Sequence, residues 1–223
     1  MALTDKLTAI ANAIRKKTGK TTKITLDKMP TEILNIQAGG IEPYVEETYD
    51  SSGNITKAKF VGHTLIRDRA FFVCSTIASV NLPSGITSIG KNAFANCTNL
   101  ALTSLPSGLT NIGDSAFQNC TKLALTSLPS GITDIGNSAF QHCPNLALTR
   151  LPSGITNIGS SAFYNCSNLT TITFEGTPTI INSTAFQICN NLTTINVPWS
   201  EGEVANAPWG ATNATINYNY TGG

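Results

Sequence analysis

Ile158-Gly159-Ser160-Ser161-Ala162-Phe163-Tyr164-Asn165-Cys166-Ser167-Asn168-Leu169-Thr170-Thr171-Ile172-Thr173-Phe174 is one copy of a unit that recurs every 23 residues. Working outward, the cysteine of this stretch belongs to the series Cys74, Cys97, Cys120, Cys143, Cys166 and Cys189. Phe71, Phe94, Phe117, Phe140, Phe163 and Phe186 keep the same step, each preceded by Ala70, Ala93, Ala116, Ala139, Ala162 or Ala185. Ile66, Ile89, Ile112, Ile135, Ile158 and Ile181 form another column, and Ile77, Leu100, Leu123, Leu146, Leu169 and Leu192 one more. Self-similarity at this period is the signature of a solenoid.

A single coil of this length cannot bury its own apolar side, so coils must stack and place like side chains above one another. Leu169-x-x-Ile172-x-Phe174 has the spacing of a leucine-rich strand, with Thr171 and Thr173 alternating outward. Ala162-Phe163-Tyr164-Asn165-Cys166 suits one helical turn. Gly90, Gly113, Gly136 and Gly159 follow the isoleucine column, with Asn182 in the sixth repeat and Arg67 in the first. Gly and Asn tolerate positive φ, so this column is expected to make a left-handed turn. Leu-Pro-Ser-Gly at 82–85, 105–108, 128–131 and 151–154 is expected to end each strand, because proline cannot continue a central ladder.

The pattern I-x-x-I-G-x-x-A-F-x-x-C-x-x-L resembles BspA-type leucine-rich repeats of bacterial surface and prophage proteins, over roughly residues 60–198. The resemblance implies an α/β fold: a leucine-rich-repeat solenoid of six coils, a concave parallel β-sheet and short helical turns on the convex side. It also implies a binding scaffold and names no ligand.

The chain divides into residues 1–40, 41–60, 61–198 and 199–223. Leu3, Leu7, Ile10, Ala11 and Ile14 fall at helical spacing after the N-cap candidate Thr4, with Gly19 as a stop. A second helix is expected from Leu26–Pro30 to Ile36, and Gly39-Gly40 reads as a linker. Residues 7–36 resemble a short N-terminal segment of phage and prophage tail-associated proteins, which implies a tail or baseplate partner through residues 1–36. Residues 44–49 and 55–60 flank Asp50-Ser51-Ser52-Gly53-Asn54 and predict a β-hairpin that caps the open edge. Trp199 and Trp209 lie in a final β-rich stretch, read either as a cap over the last Phe coil or as an aromatic ligand site.

Composition narrows the function classes. Charged residues make up 12%, about half the usual share, so the polar surface is built from Ser, Thr and Asn. Net charge is +1, which gives no basis for nucleic-acid binding. Residues 1–40 hold seven Lys/Arg against three Asp/Glu, whereas beyond residue 75 only Lys91, Lys122 and Arg150 are basic. Arg15-Lys16-Lys17 reads as a solvated helix end. Asp5 and Lys6 stand where a secretion signal would need apolar residues, and no apolar run is long enough to insert in a membrane. The expected location is a virion, or the bacterial cytoplasm before release, where thiols stay reduced.

The cysteines run one per coil with no CxxC pair, so they suit a buried thiol column better than a zinc site or inter-coil disulfides. His142 replaces Asn96, Asn119 and Asn165 of other repeats, and His63 lies in the irregular first coil; neither has an acid–nucleophile set beside it. The Asn-x-Ser/Thr sequons at Asn182 and Asn213 read as by-products of Asn/Thr-rich turns. No catalytic residue, metal site or cofactor is expected, and the chain reads as a non-enzyme.

A mismatch inside the repeat points to the surface. Thr171-Ile172 and Thr194-Ile195 put the apolar residue second; Leu102-Thr103, Leu125-Thr126 and Leu148-Thr149 put it first. With an unchanged register, the three leucines would form an exposed stripe beside Ser104, Ser127 and Arg150. With a local bulge they would turn inward. The concave ligand surface is therefore placed on Leu102, Ser104, Leu125, Ser127, Leu148, Arg150, Thr171 and Thr173, moving to the Ser and Thr positions if the leucines are buried. The expected ligand is a protein or a cell-surface glycan, and the surface that meets it is expected to belong to a phage or prophage tail component, or alternatively to a BspA-like adhesin or protein-interaction protein. Tail fibres are commonly trimeric, so the tail reading brings a homo-oligomer such as a trimer with it, while the sequence leaves the oligomeric state open.

Overall fold

The computed structural model describes residues 43–222. The helices expected over 4–36 and the linker at Gly39-Gly40 lie outside the described residues. Within them the chain winds as stacked coils whose strands are β1 (Tyr44–Tyr49), β2 (Ile55–Val61), β3 (Leu65–Ile66), β4 (Ser79–Asn81), β5 (Ser88–Ile89), β6 (Asn111–Ile112), β7 (Asp134–Ile135), β8 (Arg150–Leu151), β9 (Asn157–Ile158), β10 (Thr171–Phe174), β11 (Ile180–Ile181), β12 (Thr194–Asn196) and β13 (Thr215–Asn217). Each coil has three sides: a strand face, a side face and a turn face.

The side face carries the unbroken sheet β3-β5-β6-β7-β9-β11, parallel throughout, with Ile66, Ile89, Ile112, Ile135, Ile158 and Ile181 in register. The strand face was expected to hold one continuous sheet. It holds two: β1-β2-β4 at the N-terminal end and β8-β10-β12-β13 at the C-terminal end. The gap falls in coils two and three because Leu102 and Leu125 turn inward while Thr103-Ser104 and Thr126-Ser127 both face out. Two outward residues in succession break the alternation that a strand needs. Coil four keeps only β8, which pairs Arg150 with Thr173 and Leu151 with Phe174. Coil five alternates regularly over Thr171–Phe174.

On the turn face the expected helical turn does not form; no helix occurs among the described residues. Amides divide between two jobs. Asn92, Phe94 and Asn96 donate across to Asp114, Ala116 and Gln118 of the next coil, while Ala93, Ala95 and Cys97 bond back within the turn to Gly90, Asn92 and Phe94. A helix would need every amide for itself. Arg69, Asn92, Ser115, Ser138 and Ser161 adopt φ of 52–57°, as do, at 55–63°, Val73, Asn96, Asn119, His142, Asn165 and Ile188. These, rather than the glycine column, are the left-handed positions. The glycines serve close approach: a Cβ on Gly136 would lie 2.6 Å from the backbone of Gly113 and of Asp114.

The core is a column of phenylalanines. Successive rings from Phe71 to Phe186 lie 5.1–5.6 Å apart and within 10° of parallel. The parallel rings run without a break through all six coils, one large stiff group per coil. Phe60 of the hairpin closes the first end edge-on to Phe71 at 5.8 Å. At the other end Phe174, Trp199 and Trp209 gather over Phe186, whose amide donates to the Trp209 carbonyl. Both indoles are buried, so the aromatic-ligand reading of this stretch gives way to a cap.

Truncating a mid-stack ring leaves a cavity between two rings that cannot collapse. Phe117→Ala is expected to lower unfolding free energy by about 3–5 kcal/mol. Gly136→Ala is expected to destabilise as well, through backbone displacement rather than cavity formation. Denaturant melts with far-UV circular dichroism check both, and a near-neutral Phe117→Ala contradicts the role given to the column.

Candidate surface for ligand recognition

The inward turn of the leucines decides which side chains reach solvent. Leu125 and Leu148 are fully buried and Leu102 is 9% exposed, so of the two readings the inward one holds and all three leave the candidate surface. Ser104, Ser127 and Arg150 are exposed, and Thr171 and Thr173 partly so. Strand register sets Lys59 beside Asn81 and runs Arg150, Thr173, Asn196 and Asn217 side by side, and the 23-residue step puts Ser104 and Ser127 between them, in one row along the strand face whose first two and last two members the sequence reading missed. Asn81 and Asn196 keep the 23-residue step and were legible in it, whereas Lys59 of the hairpin and Asn217 of the C-terminal coil fall outside it.

The row is not uniform. Towards the C-terminal end Asn217 Nδ2 donates to Asn196 Oδ1 at 2.8 Å, and Asn196 Nδ2 donates to Thr173 Oγ1 at 3.1 Å. Arg150 sits 3.5 Å from Glu175, an exposed pair that contributes about 0–1 kcal/mol. At the N-terminal end Lys59 pairs with Glu46 at 3.1 Å beside a shallow groove of about 460 Å³ lined also by Thr48, Lys57, Ser79 and Asn81. Between them, the outward hydroxyls of Thr103, Ser104, Thr126, Ser127 and Thr149 make no side-chain hydrogen bond among the described residues.

The side face is the opposite case. Thr87, Thr110, Thr133 and Thr156 each turn the hydroxyl onto the threonine carbonyl one coil back, at 3.1–3.2 Å. That threonine column also went unread in the sequence. Its hydroxyl protons are committed to the fold and are not available to a ligand.

The cysteines are structural. All six are free thiols; five are buried and Cys74, at the irregular first coil, is half-buried. Cys97, Cys120, Cys143, Cys166 and Cys189 each donate Sγ–H to the phenylalanine carbonyl of the coil before, at 2.9–3.1 Å. Burial pushes Cys97 and Cys143 from an ordinary 9.0 up to about 12 and Cys189 to about 11, and raises Cys120 and Cys166 too. These are poor nucleophiles, since the thiolate is the reactive form. His142 occupies a left-handed position of the turn face and contacts Asn165 Nδ2 through Nδ1 at 2.9 Å. Among the described residues no group of three His, Cys, Asp or Glu could hold a metal.

A profile for the BspA type leucine rich repeat region matches residues 45–147 in six copies. Among solved structures, a leucine-rich repeat protein of T. pallidum (TpLRR) is similar at 26% identity and a TM-score of 0.53, over 68% of this chain and 81% of that one. A leucine-rich repeat protein of Bacteroides ovatus is similar at 22% identity and 0.50, over 72% and 47%. The pneumococcal vaccine antigen PcpA is similar at 21% and 0.53, over 76% and 43%. The chain thus spans less than half of the latter two proteins, and at those identities the likeness is one of fold. No curated protein matches the sequence significantly.

The thiols set a pH limit. Their folded pKa values lie above the unfolded one, so the native state holds protons that the unfolded chain loses first. Stability is expected to be full below pH 9, to fall as pH rises from about 9 towards about 12, and to fall less in Cys120→Ala and Cys143→Ala variants. A thiol reagent at neutral pH should titrate Cys74 quickly and the other five only after denaturation. Rapid labelling of all six in the folded protein contradicts the burial.

Proposed function

On the premise that this chain carries a BspA-type leucine-rich-repeat region, we propose that it is a non-enzymatic recognition module that presents coils two to four of its strand face to a protein or a cell-surface glycan. The observation that carries this reading is the set of uncommitted hydroxyls at Thr103, Ser104, Thr126, Ser127 and Thr149, flanked by Arg150. Hydroxyls and one guanidinium on a nearly uncharged surface match ligands rich in hydroxyl, amide and carbonyl groups. A highly charged polymer would find few partners there. The leucines behind the row give it rigidity, because their packing holds each hydroxyl in place.

Two settings fit such a module. In the first, residues 1–36 attach it to a phage or prophage tail, in keeping with the resemblance of that segment, and the row faces a host surface. In the second it is an adhesin or interaction protein of a bacterial surface, in keeping with the fold it shares with PcpA. Immunodetection separates them: signal in particles released after prophage induction supports the first, and signal in the envelope of uninduced cells supports the second.

Binding of the fluorescently labelled chain to intact bacterial and host cells, followed on a glycan array, tests the surface itself. Thr126→Val with Ser127→Ala removes two donors without touching the core. If each contributes about 1 kcal/mol to binding, affinity should fall roughly tenfold or more while the melting temperature stays put. Unchanged binding would move the ligand away from this row.

A further inference from the structure

The large apolar side chains left exposed on this molecule are not scattered. Among the described residues they are Tyr44, Tyr49, Leu65, Phe72, Val73, Ile180 and Ile188, and every one lies in the hairpin, the first coil or the sixth. Coils two to five have none. Two columns show why this is a pattern. On the side face the outward residues run Leu65, Ser88, Asn111, Asp134, Asn157 and Ile180. On the turn face they run Val73, Asn96, Asn119, His142, Asn165 and Ile188. Each column is polar in the middle and apolar at both ends. Leu65 and Ile180 are 46% and 57% exposed; Val73 and Ile188 are 55% and 42% exposed.

The turn-face pair carries a second cost. Val73 and Ile188 are β-branched yet hold φ of 61° and 60°, where the inner coils use Asn or His. Left-handed backbone suits Asn and strains a β-branched residue. Inner members also bond to one another, as Asn119 Nδ2 does to Asn96 Oδ1 at 2.8 Å. The end positions accept both exposure and strain.

Among the described residues the caps close the core and leave this rim open. Phe60 covers Phe71, and Trp209 covers Phe186. At the first coil the carbonyls of Asp68, Ala70 and Phe72, which correspond to the inter-coil acceptors Lys91, Ala93 and Ala95, accept nothing among the described residues. At the sixth coil the amide of Ile188, which corresponds to the inter-coil donor Asn165, has no acceptor among them. One end offers acceptors and the other a donor. Such complementarity is met by the opposite end of an identical stack. The same alignment sets Ile188 towards Val73 and Ile180 towards Leu65. Charge does not oppose it: Arg69 lies over the Phe72 ring at the first end, and residues 151–222 contain Glu175, Glu201 and Glu203 but no Lys or Arg.

We infer that the chain associates head to tail, the rim of the sixth coil of one copy meeting the rim of the first coil of the next. The contact is heterologous, so it does not close as a two-fold dimer and leaves each copy a free rim for the next. Recognition rows of successive copies then form a repeated array, whatever the ligand.

Sedimentation velocity of the full chain across a wide range of concentration tests this. Val73→Asn and Ile188→Asn put the inner-coil residue at each end and relieve the backbone, so both variants should fold with unchanged or raised melting temperature. The wild type should form a concentration-dependent series of oligomers, and each variant alone should be a monomer. A mixture of the two retains one intact surface of each kind and should form dimers and nothing larger. A wild type that stays monomeric, a closed trimer independent of concentration, oligomers unaffected by either substitution, or dimers from one variant alone would each overturn the inference.

Discussion

The structure depends on how one phenylalanine per coil divides its backbone groups. The amide of Phe94 donates forward to Ala116, and its carbonyl accepts both the amide of Cys97 in its own coil and the thiol of Cys120 in the next. The same three bonds recur at Phe117 and Phe163. They join the turn within to the coil after, twice over, at one buried point. A one-residue insertion would take the thiol off the carbonyl and the ring off its stack. The constant 23-residue step follows, as do the alanine that gives the next coil room and the glycine whose missing Cβ lets backbones meet.

This division of labour also explains why the cysteines behave as they do. A thiol is small enough for the core and still donates a proton to a carbonyl that would otherwise have one partner. Desolvation holds that proton in place. The column is thus a set of weak hydrogen bonds strung through an apolar interior. Serine would be costlier to bury and alanine would leave the second carbonyl lone pair unused.

Faces differ in how fully their polar groups are used. On the side face, threonine hydroxyls are tied to carbonyls one coil back. On the strand face, coils two and three each hold a pair of outward hydroxyls, and coil four a single one, that nothing in the fold claims. Both faces are rich in threonine, and composition alone makes them look alike. Their chemistry separates only when the geometry shows which carbonyl lies within reach. The ends differ again: the hairpin and the C-terminal tryptophans cover the Phe column, yet the outer columns finish in Leu65, Val73, Ile180 and Ile188.

Much of this was legible from the chain alone. Spacing of Phe, Ala, Cys, Ile and Leu at a fixed step determines a solenoid, its coil count and its core, because only stacking can bury columns that single coils cannot. The turn residues of 50–54 determine the hairpin for a local reason, since Asp50 and Gly53 close it within five residues. Tertiary structure decided the rest. Glycine at 90, 113, 136 and 159 signals either a left-handed turn or a close neighbour, and only the adjacent coil shows it is the latter. The segment Ala162–Cys166 has the composition of a helical turn, but its alternate amides are drawn to the next coil. Leu102, Leu125 and Leu148 lie inward because burying them outweighs the strand hydrogen bonds lost at Thr103-Ser104 and Thr126-Ser127, a balance between non-local contacts that periodicity within one coil does not contain.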